Sequence, residues 1–164
     1  RLDFASASAE SIRIRARAER VDLVALVQRS IARCVETYAD REVELDAVDE
    51  IPAVQGDPAL LTRLVDNLLE NARRYSSGTV HVRLASTREG VTLEVEDHGI
   101  GIEAADLPRV FEPFFRSDRS RARAHGGTGL GLTLCRRVVE VHRGRIAVRS
   151  EPSVGTTVEV WLPR

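Results

Sequence analysis

Two asparagines, Asn67 and Asn71, lie four positions apart in one apolar segment, and the 164-residue sequence has no others. Residues four apart share a face of an α-helix, so both carboxamides point the same way from a helix that also builds a core. Asparagine is a mediocre helix residue because its amide competes for backbone hydrogen bonds. The pair is compatible with a polar helix flank, but a carboxamide oxygen is also a suitable ligand for Mg²⁺ held by phosphate.

Length, composition and charge indicate one compact globular domain. Apolar residues make up 43% and charged residues 30% of the chain, which is ordinary for such a domain. The net charge of −1 gives no global attraction to nucleic acid, and we expect no nucleic-acid partner. All 24 basic residues are arginine, so any side-chain cation that binds phosphate is a guanidinium. Cys34 and Cys135 favour buried free thiols, and a disulfide between them stays open.

Hydrophobic periodicity predicts alternating helices and strands. Residues 1–20 are expected to be the end of an upstream helix and a linker, and the chain to be a fragment of a longer protein. The predicted helices cover residues 23–38, 58–75 and 130–142, and the predicted strands cover residues 12–15, 42–47, 80–84, 91–96, 145–150 and 156–162. This order predicts the α+β class: a mixed sheet with helices on one face, in a two-layer α/β sandwich.

Two glycine-containing segments have the chemistry of a nucleotide site. Asp97 ends a predicted strand and begins Asp-His-Gly-Ile-Gly-Ile, in which the carboxylate can accept a hydrogen bond from an exocyclic amine and the glycines let backbone approach a flat ligand. The glycine-rich sequence from His125 to Leu132 opens a helix, whose free N–H groups attract anions. Each signal is weak alone, and a strand-capping turn explains the first as well.

The segment from residue 99 to residue 129 has no sustained period, which is typical of a functional loop such as a lid. It contains the aromatic cluster Phe-Glu-Pro-Phe-Phe at residues 111–115, which is also typical of a small core beneath a loop. The arginines that follow are Arg116, Arg119, Arg121 and Arg123. They indicate either a solvated basic loop or a lid that reaches phosphate.

Taken together and in this order, the segments resemble the catalytic ATP-binding domain of two-component sensor histidine kinases. Residues 67–76 resemble the N box, residues 97–101 the G1 box, residues 111–115 the F box and residues 127–131 the G2 box; Gly155-Thr156-Thr157 resembles a late Gly-Thr element. The resemblance covers residues 21–163. It implies the Bergerat ATP-binding fold, in which three helices cover one face of a mostly antiparallel sheet and a long lid closes over ATP.

The resemblance also implies a role for each matching residue. Asn67, Asn71 and Arg74 would be catalytic, with Asn71 the ligand of Mg²⁺, Asn67 on the phosphate side and Arg74, where the family often has lysine, on phosphate. Asp97 would bind the adenine amine and Tyr75 would pack along the ring. The remaining residues expected to bind ATP are Gly99, Gly101, Ile102, Phe115, Arg116, Gly127, Thr128, Gly129, Leu130, Gly131, Leu132 and Thr157, the last near the base.

The implied activity is transfer of the γ-phosphoryl group of Mg-ATP to a histidine on a dimerisation domain, for relay to a response-regulator aspartate. Hydrolytic relatives carry a glutamate base where this chain has Asn67, so ATP hydrolysis should be slow. None of the four histidines lies in a His-Glu-Leu-Arg-Thr-Pro-like context, so the phosphoacceptor is expected outside this chain and residues 1–20 would end the dimerisation helix.

Partners and location follow from the same resemblance. The expected partners are the protein's own dimerisation domain and a response regulator, with a homodimeric parent anchored in the inner membrane, a monomeric fragment and a cytoplasmic site of action. Two alternatives stay open: a nucleotide-binding module of this family without kinase activity, and an anti-sigma-type serine kinase.

Overall fold

The computed structural model describes residues 18–48, 50–116 and 131–164. Three α-helices, seven β-strands and a short 3-10 turn lie in these ranges. The helices are α1 (Leu23–Thr37), α2 (Pro58–Tyr75) and α3 (Gly131–Val141). The strands are β1 (Glu19–Val21), β2 (Val43–Val48), β3 (Val54–Gly56), β4 (Val80–Ser86), β5 (Gly90–Asp97), β6 (Arg145–Glu151) and β7 (Gly155–Pro163), and the 3-10 turn is Leu107–Arg109.

Five strands form one mixed sheet in the order β2-β4-β5-β7-β6. Strand β2 runs parallel to β4, because helix α2 lies between them in the sequence, and the other neighbours are antiparallel. The register places Leu84 opposite Leu93 and Leu93 opposite Val160, so apolar residues of the central strands share one face. Strands β1 and β3 form a separate antiparallel pair. The predicted α+β sandwich is confirmed.

Two aspartates fix where helices α1 and α2 begin. Asp22 accepts a hydrogen bond from the backbone N–H of Ala25 at 3.1 Å. Asp57 accepts from the N–H groups of Ala59 and Leu60 at 2.9 and 3.2 Å, and Pro58 at the first helical position has no N–H to satisfy. Such caps stabilise a helix by about 1 kcal/mol each. Helix α2 therefore starts at the residue that the sequence predicts, and it also ends at the predicted Tyr75.

The core lies between the sheet and the helices. The sheet contributes the inward residues of its strands, and the residues that are at most 1% exposed include Val82, Leu84, Leu93 and Val160. Helix α2 contributes its buried stripe: Leu61, Leu64, Val65, Leu68, Leu69 and Ala72. Since burying a Leu or Val side chain contributes about 1.5–3 kcal/mol, this stripe fixes the rotation of α2 about its own axis.

A histidine connects the end of α3 with the start of α2. The side chain of His142, which follows α3, is 7% exposed. Its Nδ1 lies 2.7 Å from the carbonyl oxygen of Val138, and its Nε2 accepts the backbone N–H of Asp57 at 3.0 Å. Both ring nitrogens are thus satisfied by backbone groups when the proton is on Nδ1. The ring ties the end of α3 to the start of α2, so it positions the two helices relative to each other.

The opposite face of the sheet is polar and carries ion pairs. Arg83 lies 3.5 Å from Glu94 and 3.2 Å from Glu96, and Arg149 lies 3.2 Å from Glu94 and 3.4 Å from Glu159. Exposed pairs of this kind contribute about 0–1 kcal/mol each. No helix in the described ranges combines the length and hydropathy that a membrane crossing needs.

The structure differs from the sequence prediction mainly at short strands. The β1–β3 pair, at Glu19–Val21 and Val54–Gly56, was not predicted, because three-residue strands show no measurable alternation. The helices and longer strands lie where they are predicted, within two residues. The predicted strand at residues 12–15 lies outside the described residues, as does most of the expected helix end and linker at residues 1–20. The predicted boundary after residue 20 stays a prediction, and β1 spans it.

Candidate functional site

A cavity of about 610 Å³ opens between helix α2, the segment after β5, the segment after the 3-10 turn, and helix α3. One wall comes from α2, one from α3, and the floor from the end of the sheet. The lining residues are Arg63, Asn67, Glu70, Asn71, Arg74, Tyr75, Asp97, Ile100, Gly101, Ile102, Val110, Phe115, Arg116, Gly131, Leu132, Thr133, Leu134, Arg137 and Thr156. Among the described residues this cavity holds most of those predicted to bind a ligand.

Helix α2 presents its polar face to the cavity because its apolar stripe is fixed against the sheet. Asn67, Asn71 and Arg74 lie along this face at the spacing of successive helical turns. Arg63, one turn before Asn67, extends the same row. The cavity wall therefore offers two carboxamides and two guanidinium groups, which are suitable for a metal-bound anion.

Glu70 is the carboxylate in this wall, and it is held by two arginines. Its side chain accepts hydrogen bonds from Arg73 at 2.6 and 3.0 Å and from Arg74 at 3.1 Å. The hydrogen bond from Arg73 is the main reason that the pKa of Glu70 lies below its usual range, and the charges of Arg73 and Arg74 lower the pKa further. Glu70 is therefore ionised at neutral pH and is a weak base.

Asp97 lies at the inner end of the cavity, at the last residue of β5. The residue is 6% exposed. Burial raises the pKa of its carboxyl from 3.8 to about 6, although hydrogen bonds from the backbone N–H groups of Gly99 and Thr156 oppose the rise. At neutral pH the ionised carboxylate is the buried hydrogen-bond acceptor at the floor of the cavity, which suits a ligand that brings an N–H donor.

The segment after Asp97 packs tightly against its neighbours, and glycine is required at two of its positions. A Cβ atom on Gly99 would lie 1.9 Å from the carbonyl oxygen of Tyr75, and the N–H of Ile100 donates to that oxygen at 3.2 Å. Gly101 has a φ of +69°, and a Cβ there would meet the carbonyl oxygen of Glu151 at 2.1 Å. The segment thus joins the end of α2 to the β6–β7 turn and keeps the floor of the cavity in place.

The segment from Val110 to Arg116 forms the outer rim. Val110 is buried, and the carbonyl oxygen of Phe111 accepts a hydrogen bond from the hydroxyl of Thr133 on α3 at 2.9 Å. The guanidinium of Arg109 lies 4.5 Å from the centre of the Phe115 ring, which lines the cavity. Contacts between this segment and α3 therefore set the width of the opening.

The predicted site residues divide into three groups. Those in the cavity wall are Asn67, Asn71, Arg74, Tyr75, Asp97, Gly101, Ile102, Phe115, Arg116, Gly131 and Leu132. Gly99 and Thr157 are described but do not line the cavity. Gly127, Thr128, Gly129 and Leu130 lie outside the described residues, as do Arg119, Arg121 and Arg123.

Thr156 lines the cavity, whereas Thr157, the threonine predicted to lie near the base, does not. Thr156 is 9% exposed and lines the cavity beside Asp97, its partner across the strands. Thr157 is paired with Glu96, so its side chain is on the polar face of the sheet, because successive strand residues point to opposite faces. The alternation Thr156, Val158, Val160, Leu162 is the signal that distinguishes the two threonines.

Several cavity residues were not predicted. Ile100, Val110 and Leu134 add apolar surface, and Arg63, Glu70 and Arg137 add charge. The helical spacing from Asn67 back to Arg63 could have identified Arg63. Arg137 is brought in by the packing of α3 on α2, for which the sequence has no local signal.

Residues 56–164 match the family described as histidine kinase-, DNA gyrase B- and HSP90-like ATPases. The chain belongs to this ATPase family. KinB of Pseudomonas aeruginosa, an alginate biosynthesis sensor protein, is 41% identical over 146 residues, which are 87% of the chain and 24% of that relative. The sensor-like histidine kinase SenX3 of Mycobacterium tuberculosis is 42% identical over 147 residues, 87% of the chain and 36% of that relative.

A solved structure agrees with this assignment. The mycobacterial sensor histidine kinase MprB is 36% identical to this ATPase-family chain and superposes with a TM-score of 0.78, covering 88% of this chain and 97% of that one. The predicted family, the catalytic ATP-binding domain of sensor histidine kinases, is confirmed. The chain spans 24% to 36% of the length of the two curated relatives.

The contact of Gly99 with α2 generates a first prediction for this ATPase domain. Gly99→Ala should lower the free energy of unfolding by about 1–3 kcal/mol, because its Cβ overlaps the Tyr75 carbonyl oxygen. Urea denaturation measures this change. Gly78→Ala is the matched control, since nothing lies within 4 Å of a Cβ there. Equal stabilities of the two variants would contradict the described contact.

The buried Asp97 generates a pH prediction. Its carboxyl has a higher pKa in the native state, about 6, than the ordinary value of 3.8, so the native state binds the proton more tightly. This contribution to stability is complete below pH 3.8 and is lost as pH rises through about 6, at about 1.4 kcal/mol per unit of pKa difference. Asp97→Asn should remove that loss, so the stability difference between variant and wild type should grow with pH. Denaturation at several pH values measures the stability of both proteins. If their stabilities change in parallel with pH, the raised pKa of Asp97 is excluded.

Proposed function

We propose that this domain binds Mg-ATP in the cavity and transfers the γ-phosphoryl group to a histidine of a dimerisation domain. The observation that carries the proposal is the order of polar groups along one cavity. A buried acceptor, Asp97, lies at the floor, and two carboxamides with Arg74 lie in the α2 wall. The kinship to sensor histidine kinases supports the same assignment.

The adenine end of the proposed site is the floor. The Asp97 carboxylate would accept a hydrogen bond from the exocyclic amine of adenine, while Ile100, Ile102 and Tyr75 provide apolar surface for the ring. Thr156 takes the place beside the base. Nucleotide affinity should accordingly rise as Asp97 ionises with increasing pH. The stability of the free domain should change in the opposite direction, because ionisation of the buried carboxyl destabilises the native state.

The phosphate end of the proposed site is the α2 wall. Within the described residues, no three His, Cys, Asp or Glu side chains form a group that could hold a metal ion. The Asn71 carboxamide in the wall suits a Mg²⁺ ion that takes its other ligands from phosphate and water. The bound ion would neutralise charge on the phosphates, and Arg74 would contact a phosphate oxygen directly. The glycines at residues 127–131 remain predicted phosphate ligands.

Among the described residues, the α2 wall at the proposed phosphate end lacks an effective base for water activation. Asn67 is neutral where hydrolytic relatives are expected to have glutamate. The Glu70 carboxylate faces Arg73 and Arg74, and its lowered pKa makes it a poor proton acceptor. We therefore infer slow hydrolysis, so that the γ-phosphoryl group is retained for an imidazole nitrogen. The P–O bond to ADP breaks, the P–N bond forms, and the imidazole N–H proton is released.

The acceptor histidine is proposed to lie in another domain. His81 is on β4 beside Glu44, and His142 is buried between helices. The dimerisation domain, a response regulator, a homodimeric parent and its anchoring in the inner membrane remain proposals that rest on the sensor-kinase kinship.

Removal of the metal ligand tests the nucleotide half of the proposal. Asn71→Ala should weaken ATP binding in Mg²⁺ by at least about tenfold, because a ligand of the ion is lost, and should leave binding in EDTA nearly unchanged. Isothermal titration measures both. Asp66→Ala, on the same helix but outside the cavity, is the control and should bind as wild type. Equal losses with and without Mg²⁺ would show that Asn71 is not a metal ligand.

Phosphoryl transfer tests the kinase half. The domain is mixed with dimerisation domains of sensor kinases and ATP carrying radioactive γ-phosphate. We expect acid-labile, alkali-stable label on the partner, as a phosphoramidate gives, and no label on the domain alone. Acid-stable label would indicate a serine kinase instead. Rapid release of inorganic phosphate without a partner would indicate a hydrolase.

A further inference from the structure

We propose that Glu70 is a positioning residue that holds Arg74 in place for the phosphates of ATP, and that it does so because Arg73 is drawn away from the cavity. The inference rests on the proposed function, since it assigns Arg74 to phosphate. It goes beyond that function by assigning different roles to two consecutive arginines: Arg73 fixes the carboxylate of Glu70, and Arg74 contacts phosphate.

Two consecutive helix residues point about 100° apart, so the side chains of Arg73 and Arg74 leave α2 in different directions. Arg74 lines the cavity and Arg73 does not. The guanidinium of Arg73 instead lies 3.9 Å from the centre of the ring of Tyr38, the C-cap residue of α1. A cation over an aromatic face is a favourable arrangement with a defined geometry.

Glu70 connects the two arginines. Arg73 donates to it twice, from Nε at 3.0 Å and from Nη2 at 2.6 Å, and Arg74 donates once, from Nη2 at 3.1 Å. The bidentate pair fixes the orientation of the carboxylate. The orientation of the carboxylate then restricts the guanidinium of Arg74, which is i+4 from Glu70 on the helix.

Burial and charge support this arrangement. The side chains of Arg73, Arg74 and Glu70 are 20%, 27% and 32% exposed, so solvent screens these pairs less than those on the sheet face. The α2 wall itself carries Arg63 and Arg74 against the single carboxylate of Glu70, so it stays attractive to phosphate. A guanidinium already held in the wall loses less conformational entropy when the ligand arrives.

The test is a thermodynamic cycle that separates phosphate binding from base binding. Glu70→Gln keeps the size of the side chain but loses the charge. We expect it to weaken Mg-ATP binding by about tenfold, a loss of one charge-assisted hydrogen bond, and to leave adenosine binding unchanged. In an Arg74→Gln background the same substitution should change Mg-ATP affinity by less than about twofold, because Glu70 acts through Arg74.

Matched controls use the same helix. Asp66→Asn removes an acid that pairs with Arg33 at 3.1 Å outside the cavity, and it should bind ATP and adenosine as wild type. Arg73→Gln should reproduce part of the Glu70→Gln loss, since Arg73 fixes the carboxylate.

Three results would overturn the inference. Equal losses of ATP and adenosine affinity in Glu70→Gln would show a general structural role. Unchanged or stronger Mg-ATP binding would show that the carboxylate does not position Arg74. Additive losses in the double variant would show that it acts by another route. Wild-type protein that binds no Mg-ATP would instead refute the proposed function itself, which distinguishes the two failures.

Discussion

The burial of one face of helix α2 is the constraint on which the site depends. Leu61, Leu64 and Leu68 are at most 1% exposed, and their combined burial, at about 1.5–3 kcal/mol each, is much larger than any surface interaction of the helix. The rotation of the helix is therefore set by its apolar stripe. The polar face, which carries Asn67 and Asn71, has no freedom to turn away from the cavity, and the wall is formed before a ligand binds.

The contact between α2 and the segment after β5 makes the second wall depend on the first. The Tyr75 carbonyl oxygen at the end of α2 accepts the N–H of Ile100, and Gly99 lies against it. The same segment passes through Asp97, so the buried carboxylate is held at a fixed position relative to the carboxamides. Burial disfavours the ionised form of Asp97, and the packing of this segment against α2 offsets that cost. Preorganised sites commonly hold a functional group in this way.

Sequence patterns predict the long elements of this fold and fail at the short ones, for a physical reason. Helix α2 has an N-cap and an N1 proline, so its start is specified locally, and its periodicity extends over five turns. Strands β1 and β3 have three residues each and exist because they pair with each other, which no local pattern records. Glycines of the site are recognisable as motifs, yet the contacts that require them, such as Gly99 with Tyr75, are made across the fold.

The site shows the same division between local and long-range information. Asn67 and Asn71 are identified by spacing within one helix, and the resemblance of four ordered motifs supplies their roles. The choice between Thr156 and Thr157 needs the strand register, because adjacent residues point to opposite faces. The different duties of Arg73 and Arg74 need the position of Tyr38, which another helix brings to α2. Site residues that lie on one helix can thus be predicted from their spacing in the sequence. Tertiary packing decides which of two similar, adjacent residues faces the cavity.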